Sequence, residues 1–208
     1  DKPYLHYGKA HESLKREITK KGKKELAEQA AYIWFNRIVA LRYMEMHNYL
    51  PTRSSFFESS DGSWSPDIVT RALDEYQTTW IDKETVFDLY WKKNKELYAQ
   101  LFISMCNTLS REYGFMFWKL DDWTSLLFPM SLLDTNWIIK DDDNWLLSIP
   151  DDSWDEVEII GWVYQYYISE QKDQYFEEAK TDKKKFWKKE LWAVTQLFTP
   201  KWIVKYMV

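Results

Sequence analysis

Glycine, proline and cysteine are scarce in this chain, and each scarcity closes off a class of fold. Only 5 Gly and 6 Pro stand among 208 residues, which argues against a β-sandwich with many tight turns. No two glycines are close in sequence, which argues against a glycine-rich nucleotide fold. The single cysteine, Cys106, cannot form an internal disulfide, so a reducing cytoplasm is the expected compartment. The few histidines, His6, His11 and His47, show no metal-ligand spacing. No apolar run approaches the roughly 18 residues of a membrane span, and no signal-peptide pattern is seen, so a soluble chain is expected. Positive charge is not in excess either: 28 Lys plus Arg against 33 Asp plus Glu give a net charge of −5. Any contact with DNA must therefore be local.

What is abundant is apolar and aromatic. The chain is 45% hydrophobic and 18% aromatic with 13 Trp, enough to bury a substantial core. The expected fold class is all-α. Leu14 and Ile18 lie one turn apart in a short helix pattern that Gly22 ends. Residues 24–48 form the strongest pattern, apolar nearly all round from Ala30 to Met46, as in a helix surrounded by others. Arg37 falls on its apolar side and must be paired or open into a pocket; a structural ion pair is expected ahead of a phosphate-binding role. Residues 51–65 read as a loop, in which Arg53, Ser54 and Ser55 could grip a phosphate but fit an ordinary connector.

Further helices are expected from Ser65-Pro66 through Trp80 and, capped by Asp82, from Glu84 to about Tyr113, where Gly114 stops it. Cys106 lies in the apolar half of that last element, as a small core side chain would. Asp121 or Asp122 caps a short helix ended by Pro129, and the Asp141–Asp143 run lacks the spacing of a calcium loop. Ser153 and Glu156 have the spacing of a capping box before a helix reaching about Lys180.

Two basic stretches follow different logics. The KKGKK at 20–24 reads as a solvated turn, whereas Lys183, Lys184, Lys185, Lys188 and Lys189 interleave with Phe186 and Trp187. This second cluster suits either DNA-backbone contact or an exposed linker. The chain closes with TQLFTPKWIVKYMV, where Thr199 can cap a helix and Pro200 takes its first position. Trp202, Ile203, Tyr206 and Met207 have the spacing of a core-facing stripe. No stop signal closes the element, so the expectation is that the protein continues past Val208.

Taken in order, YIWFNRIVALRYME, PDIV, ELYAQLFISMCN, FWKLDDWTSLLFP, VEIIGWVYQYYISEQKD and TQLFTPKWIVKYMV resemble PglX-type proteins of the BREX phage-defence systems. These are adenine-specific DNA methyltransferases that use S-adenosylmethionine and are similar in layout to type IIG restriction-modification enzymes. The resemblance implies a helical N-terminal domain over 1–182, then a basic linker and the first helix of an α/β methyltransferase domain over 183–208. It also implies that Phe198, Thr199 and Pro200 touch the cofactor, that DNA is the substrate, and that other phage-defence proteins are partners. The family's glycine-rich cofactor loop and Asn-Pro-Pro-Tyr tetrapeptide have no counterpart in these residues, so the chain alone is expected not to catalyse. The rival expectation is a helical structural or protein-interaction module with no enzymatic role.

Overall fold

The computed structural model describes residues 3–63, 65–79, 81–112, 120, 122–133, 146–156, 158–161, 172–173, 175–177, 180, 199 and 201–207. The chain divides into two compact units, Asp1–Ile149 and Pro150–Val208. Every regular element among the described residues is helical, which agrees with an all-α domain. The boundary expected at residue 182 lies outside the described residues.

In the first unit, α1 (Pro3–Lys21) and α2 (Lys23–Met46) are separated by Gly22 alone. Gly22 sits at φ 84°, the left-handed region that only glycine enters without strain, and its N–H closes α1 on the Ile18 carbonyl at 2.8 Å. Helix α2 buries Leu26, Ala30, Ile33, Trp34, Ile38, Val39, Leu41 and Met44 around much of its circumference, as its sequence requires. Asn48 ends it at φ 56°, a conformation asparagine tolerates.

Two of the expected helices are broken into shorter ones, and the helix expected to reach about Lys180 lies largely outside the described residues. The element expected from 66 to 80 is broken into α3 (Asp67–Thr70) and α4 (Ala72–Glu75) at Arg71, whose φ of −103° departs from helix. Beyond α4, the Thr78 and Thr79 hydroxyls donate to the Glu75 and Tyr76 carbonyls at 2.7 and 3.0 Å, drawing the backbone into turns. The single helix expected from 84 is likewise split, into α5 (Lys83–Tyr90) and α6 (Asn94–Glu112). Asp82 caps α5 as expected, accepting from the Thr85 N–H at 2.8 Å.

Helix α7 (Asp122–Leu126) packs on α1, α3 and α5 pack on α6, and the short 3₁₀ helix Met130–Leu133 closes against α6. The core is aromatic and centred on Phe102. Trp34, Phe56, Phe57, Tyr98 and Phe128 surround it with ring centroids 6.2, 5.9, 6.2, 5.8 and 5.4 Å away. Most meet edge to face or tilted, the arrangements that ring quadrupoles favour. The polar ends of these rings are satisfied: Trp34 Nε1 donates to the Thr124 carbonyl at 3.2 Å and the Tyr98 hydroxyl to the Phe56 carbonyl at 3.0 Å.

In the second unit, residues Asp151–Asp155 form a 3₁₀ helix. Ser153 is therefore not the helix cap expected of it. Its N–H is used inside the turn, donating to the Pro150 carbonyl at 2.9 Å, Glu156 is extended, and helical residues begin at 158. Helix α8 (Lys201–Met207) lies at the far end of the described residues.

Candidate functional site

The closing stretch is the first place to look for chemistry. Thr199 is exposed and α8 begins at Lys201. The Lys201 N–H donates to the Glu158 carboxylate, and the Lys201 ammonium pairs with Glu156. That hydrogen bond and charge hold the Glu156 carboxyl below the usual glutamate range and the Lys201 ammonium above the usual lysine range. A helix start offers N–H groups to an anion, and here one of them is already engaged by a side-chain carboxylate. Phe198 and Pro200, and Lys183, Lys184, Lys185, Lys188 and Lys189, lie outside the described residues.

The stripe expected to face a core along α8 does not do so. Trp202, Tyr206 and Met207 are 72%, 91% and 77% exposed, and Ile203 alone of the four is half-buried. Seven residues of helix projecting this much apolar surface have nothing among the described residues to cover them.

Elsewhere the polar candidates resolve into structure. In the loop after α2, Thr52 and Ser54 donate their hydroxyls to Glu75, and Ser55 donates to Glu45 at 2.7 Å. A phosphate placed there would meet carboxylates, so the loop is a connector tied down at each end. The tie is an ionic cluster: buried Arg42 meets Glu45 at 3.0 Å and also reaches Glu58, while Glu45 accepts the Phe56 N–H at 2.7 Å. Burial pushes the Glu45 carboxyl above its ordinary range despite these partners.

Arg37 is buried, and its Nη1 donates to the Ile33 carbonyl at 3.4 Å. Burial lowers its pKa, and Cys106 acts electrostatically in the opposite direction. Cys106 itself is buried, its thiol pushed up to about 12 by desolvation, so it is a core side chain and no nucleophile. Among the described residues no group of His, Cys, Asp and Glu is placed to hold a metal ion, and no helix is long and apolar enough to cross a membrane. One exposed feature, the turn between α5 and α6, escapes the reading of the residues because no glycine or proline marks it.

The geometry thus defines a helical module with a tightly tied core, an uncovered apolar helix and no assembled catalytic constellation among the described residues. Comparison with known proteins gives that module its relatives. No family model matches the chain. It is 36% identical over 208 aligned residues to the adenine-specific methyltransferase BrxX of Escherichia coli O9:H4 (strain HS), an alignment covering 95% of the chain and 16% of that protein. It is 38% identical over 204 residues to the adenine-specific methyltransferase PglX of Lacticaseibacillus casei (strain Zhang), covering 88% of the chain and 16% of the relative. The resemblance read from the six stretches is borne out: the homologues of this chain are BrxX and PglX adenine-specific methyltransferases, and it spans about one-sixth of their length.

Proposed function

We propose that this chain is the helical N-terminal part of an adenine-N6 DNA methyltransferase of a bacterial phage-defence system. The observation that carries the proposal is relatedness along 95% of the chain to a methyltransferase of which the alignment covers only 16%. The rest of such a protein has room for a glycine-rich cofactor loop and an adenine pocket, neither of which these residues contain. The division of labour follows: residues 1–182 form the supporting helical domain, and 183–208 lead into the catalytic domain. The lysines from Lys183 to Lys189 meet the DNA backbone, and other defence proteins dock elsewhere. The exposed side chains of α8, Trp202, Tyr206 and Met207, are then the seat on which that catalytic domain rests.

The cofactor of the proposed enzyme is S-adenosylmethionine, which supplies the methyl group. Phe198, Thr199 and Pro200 are the residues proposed to touch it. Thr199 brings an exposed hydroxyl, but the neighbouring helix start is engaged by the Glu158 carboxylate, which carries the same charge as the cofactor's own. The helix start at Lys201 is therefore no anion site by itself, and the cofactor site has to be completed by the rest of the enzyme. Isothermal titration of the 208-residue chain with S-adenosylmethionine is therefore expected to give no measurable heat. Micromolar binding by the chain alone would overturn this division of labour.

A further inference from the structure

Helix α5 gives way to α6 through a turn over residues 91–93, and every residue from Trp91 to Lys95 is exposed. Leu89 accepts the N–H of both Lys92 and Lys93, at 3.1 and 2.9 Å, and α6 restarts at Asn94. Trp91 is 73% exposed and Phe87, one turn before it, 58%. Lys92, Lys93, Asn94 and Lys95 are exposed as well.

The indole is open to solvent but not loose. Tyr90 anchors the turn by donating its hydroxyl to the Thr70 carbonyl at 2.8 Å, and its ring stands at 83° to Trp91 with centroids 5.0 Å apart. Beside Trp91 lies a depression of about 310 Å³ lined by Ser65, Val69, Thr70, Tyr90, Trp91 and Asn94. That volume is at the small end of ligand sites, roughly 300 to 1,000 Å³. The run from Trp91 to Lys95 carries only positive charge in a chain whose net charge is −5. Glu96 approaches Lys93 at 3.7 Å, but both side chains are about half exposed, and water screens such a pair.

We infer that this turn is a binding site for unpaired nucleic acid, with a base stacked on Trp91 over the depression and the adjoining phosphates held by Lys92 and Lys95. An aromatic face, a hollow beside it and ammonium groups on neighbouring residues of the chain are what a single strand requires. A duplex keeps its bases stacked on one another and offers no free face to the indole. An acidic protein segment would use the lysines but leave the indole and the hollow without purpose. The inference is independent of the methyltransferase proposal, since it stands on the chemistry of this turn alone.

The test is fluorescence anisotropy of labelled oligothymidine titrated with the 208-residue chain at low salt, beside a duplex of equal length and with polyglutamate as competitor. The single strand is expected to bind more tightly than the duplex. Trp91→Ala should weaken that binding roughly fivefold to a hundredfold, while Trp91→Phe retains most of it. Lys92→Ala and Lys95→Ala should each flatten the salt dependence by about 0.7 in log–log slope. These exposed positions leave the far-UV circular dichroism and melting temperature unchanged, so loss of binding will not be loss of fold. No binding at low salt, equal binding of duplex with Trp91→Ala unaffected, or displacement by polyglutamate as effective as by oligothymidine would each overturn the inference; the last would identify the turn as a seat for an acidic protein.

Discussion

Phe102→Ala is expected to destabilise the first unit by about 3 to 5 kcal/mol, as for other large-to-alanine changes in close-packed cores. Phe102 is 0% exposed and is the ring on which Trp34, Phe56, Phe57, Tyr98 and Phe128 converge. Removing it leaves a cavity walled by rings that are already fixed. Trp34 is tied to Thr124 and Tyr98 to Phe56, so neither can swing in to fill the space without giving up its hydrogen bond. Phe102→Leu, which restores most of the volume, should cost less than half as much. Urea unfolding followed by circular dichroism measures both. A loss below about 1 kcal/mol for the alanine variant would show that the cluster is loosely packed.

Arg42→Leu should cost about 3 kcal/mol or more, because it leaves the Glu45 carboxylate buried without its cation. The side chains of Arg42 and Glu45 are only 3% and 14% exposed, so solvent does little to replace the lost charge. Ser55 and the Phe56 N–H still donate to Glu45, and they keep the loss from being larger. The pH dependence gives a second handle. Glu45 has a folded pKa above its unfolded value, so over that window the folded state holds more protons and stability falls as pH rises. Removing Arg42 pushes the folded value higher still. The loss caused by Arg42→Leu should therefore be full above that folded value and shrink on acidification toward the ordinary glutamate range. A loss that does not shrink on acidification would mean that Glu45 is not what Arg42 neutralises.

Much of this architecture is legible in the residues because local signals agree with one another. Gly22 between two helical patterns, Asp82 three residues before Thr85, and the all-round apolar character of α2 each have one physical solution, and the structure adopts it. The failures come from interactions that a linear pattern does not carry. Nothing in TVFDLYWKKNKEL says that the helix stops, and the break at 91–93 takes its form from pairings such as that of Tyr90 with Thr70. Ser153 matches a cap by spacing, but Pro150 captures its N–H first. The apolar stripe of α8 is plain in the sequence, yet its burial requires surface that the described residues do not supply.

The polar loop after α2 illustrates the same limit on local reading in another way. Arg53, Ser54 and Ser55 look like phosphate ligands when read alone. Their meaning changes once Glu45 and Glu75, distant in sequence, are seen to accept the serine hydroxyls. Cys106, in contrast, is read correctly from its apolar neighbours alone, since burial is what raises its thiol.

The measurement that reaches furthest is transfer of a tritiated methyl group from S-adenosylmethionine to DNA, run in parallel with the 208-residue chain and with the full-length methyltransferase proposed to contain it. Label should appear at adenine N6 with the longer protein and be absent with the chain alone. Label incorporated by the chain alone, or no label with the longer protein, would contradict the proposal that this chain is the supporting helical part of an adenine-specific DNA methyltransferase.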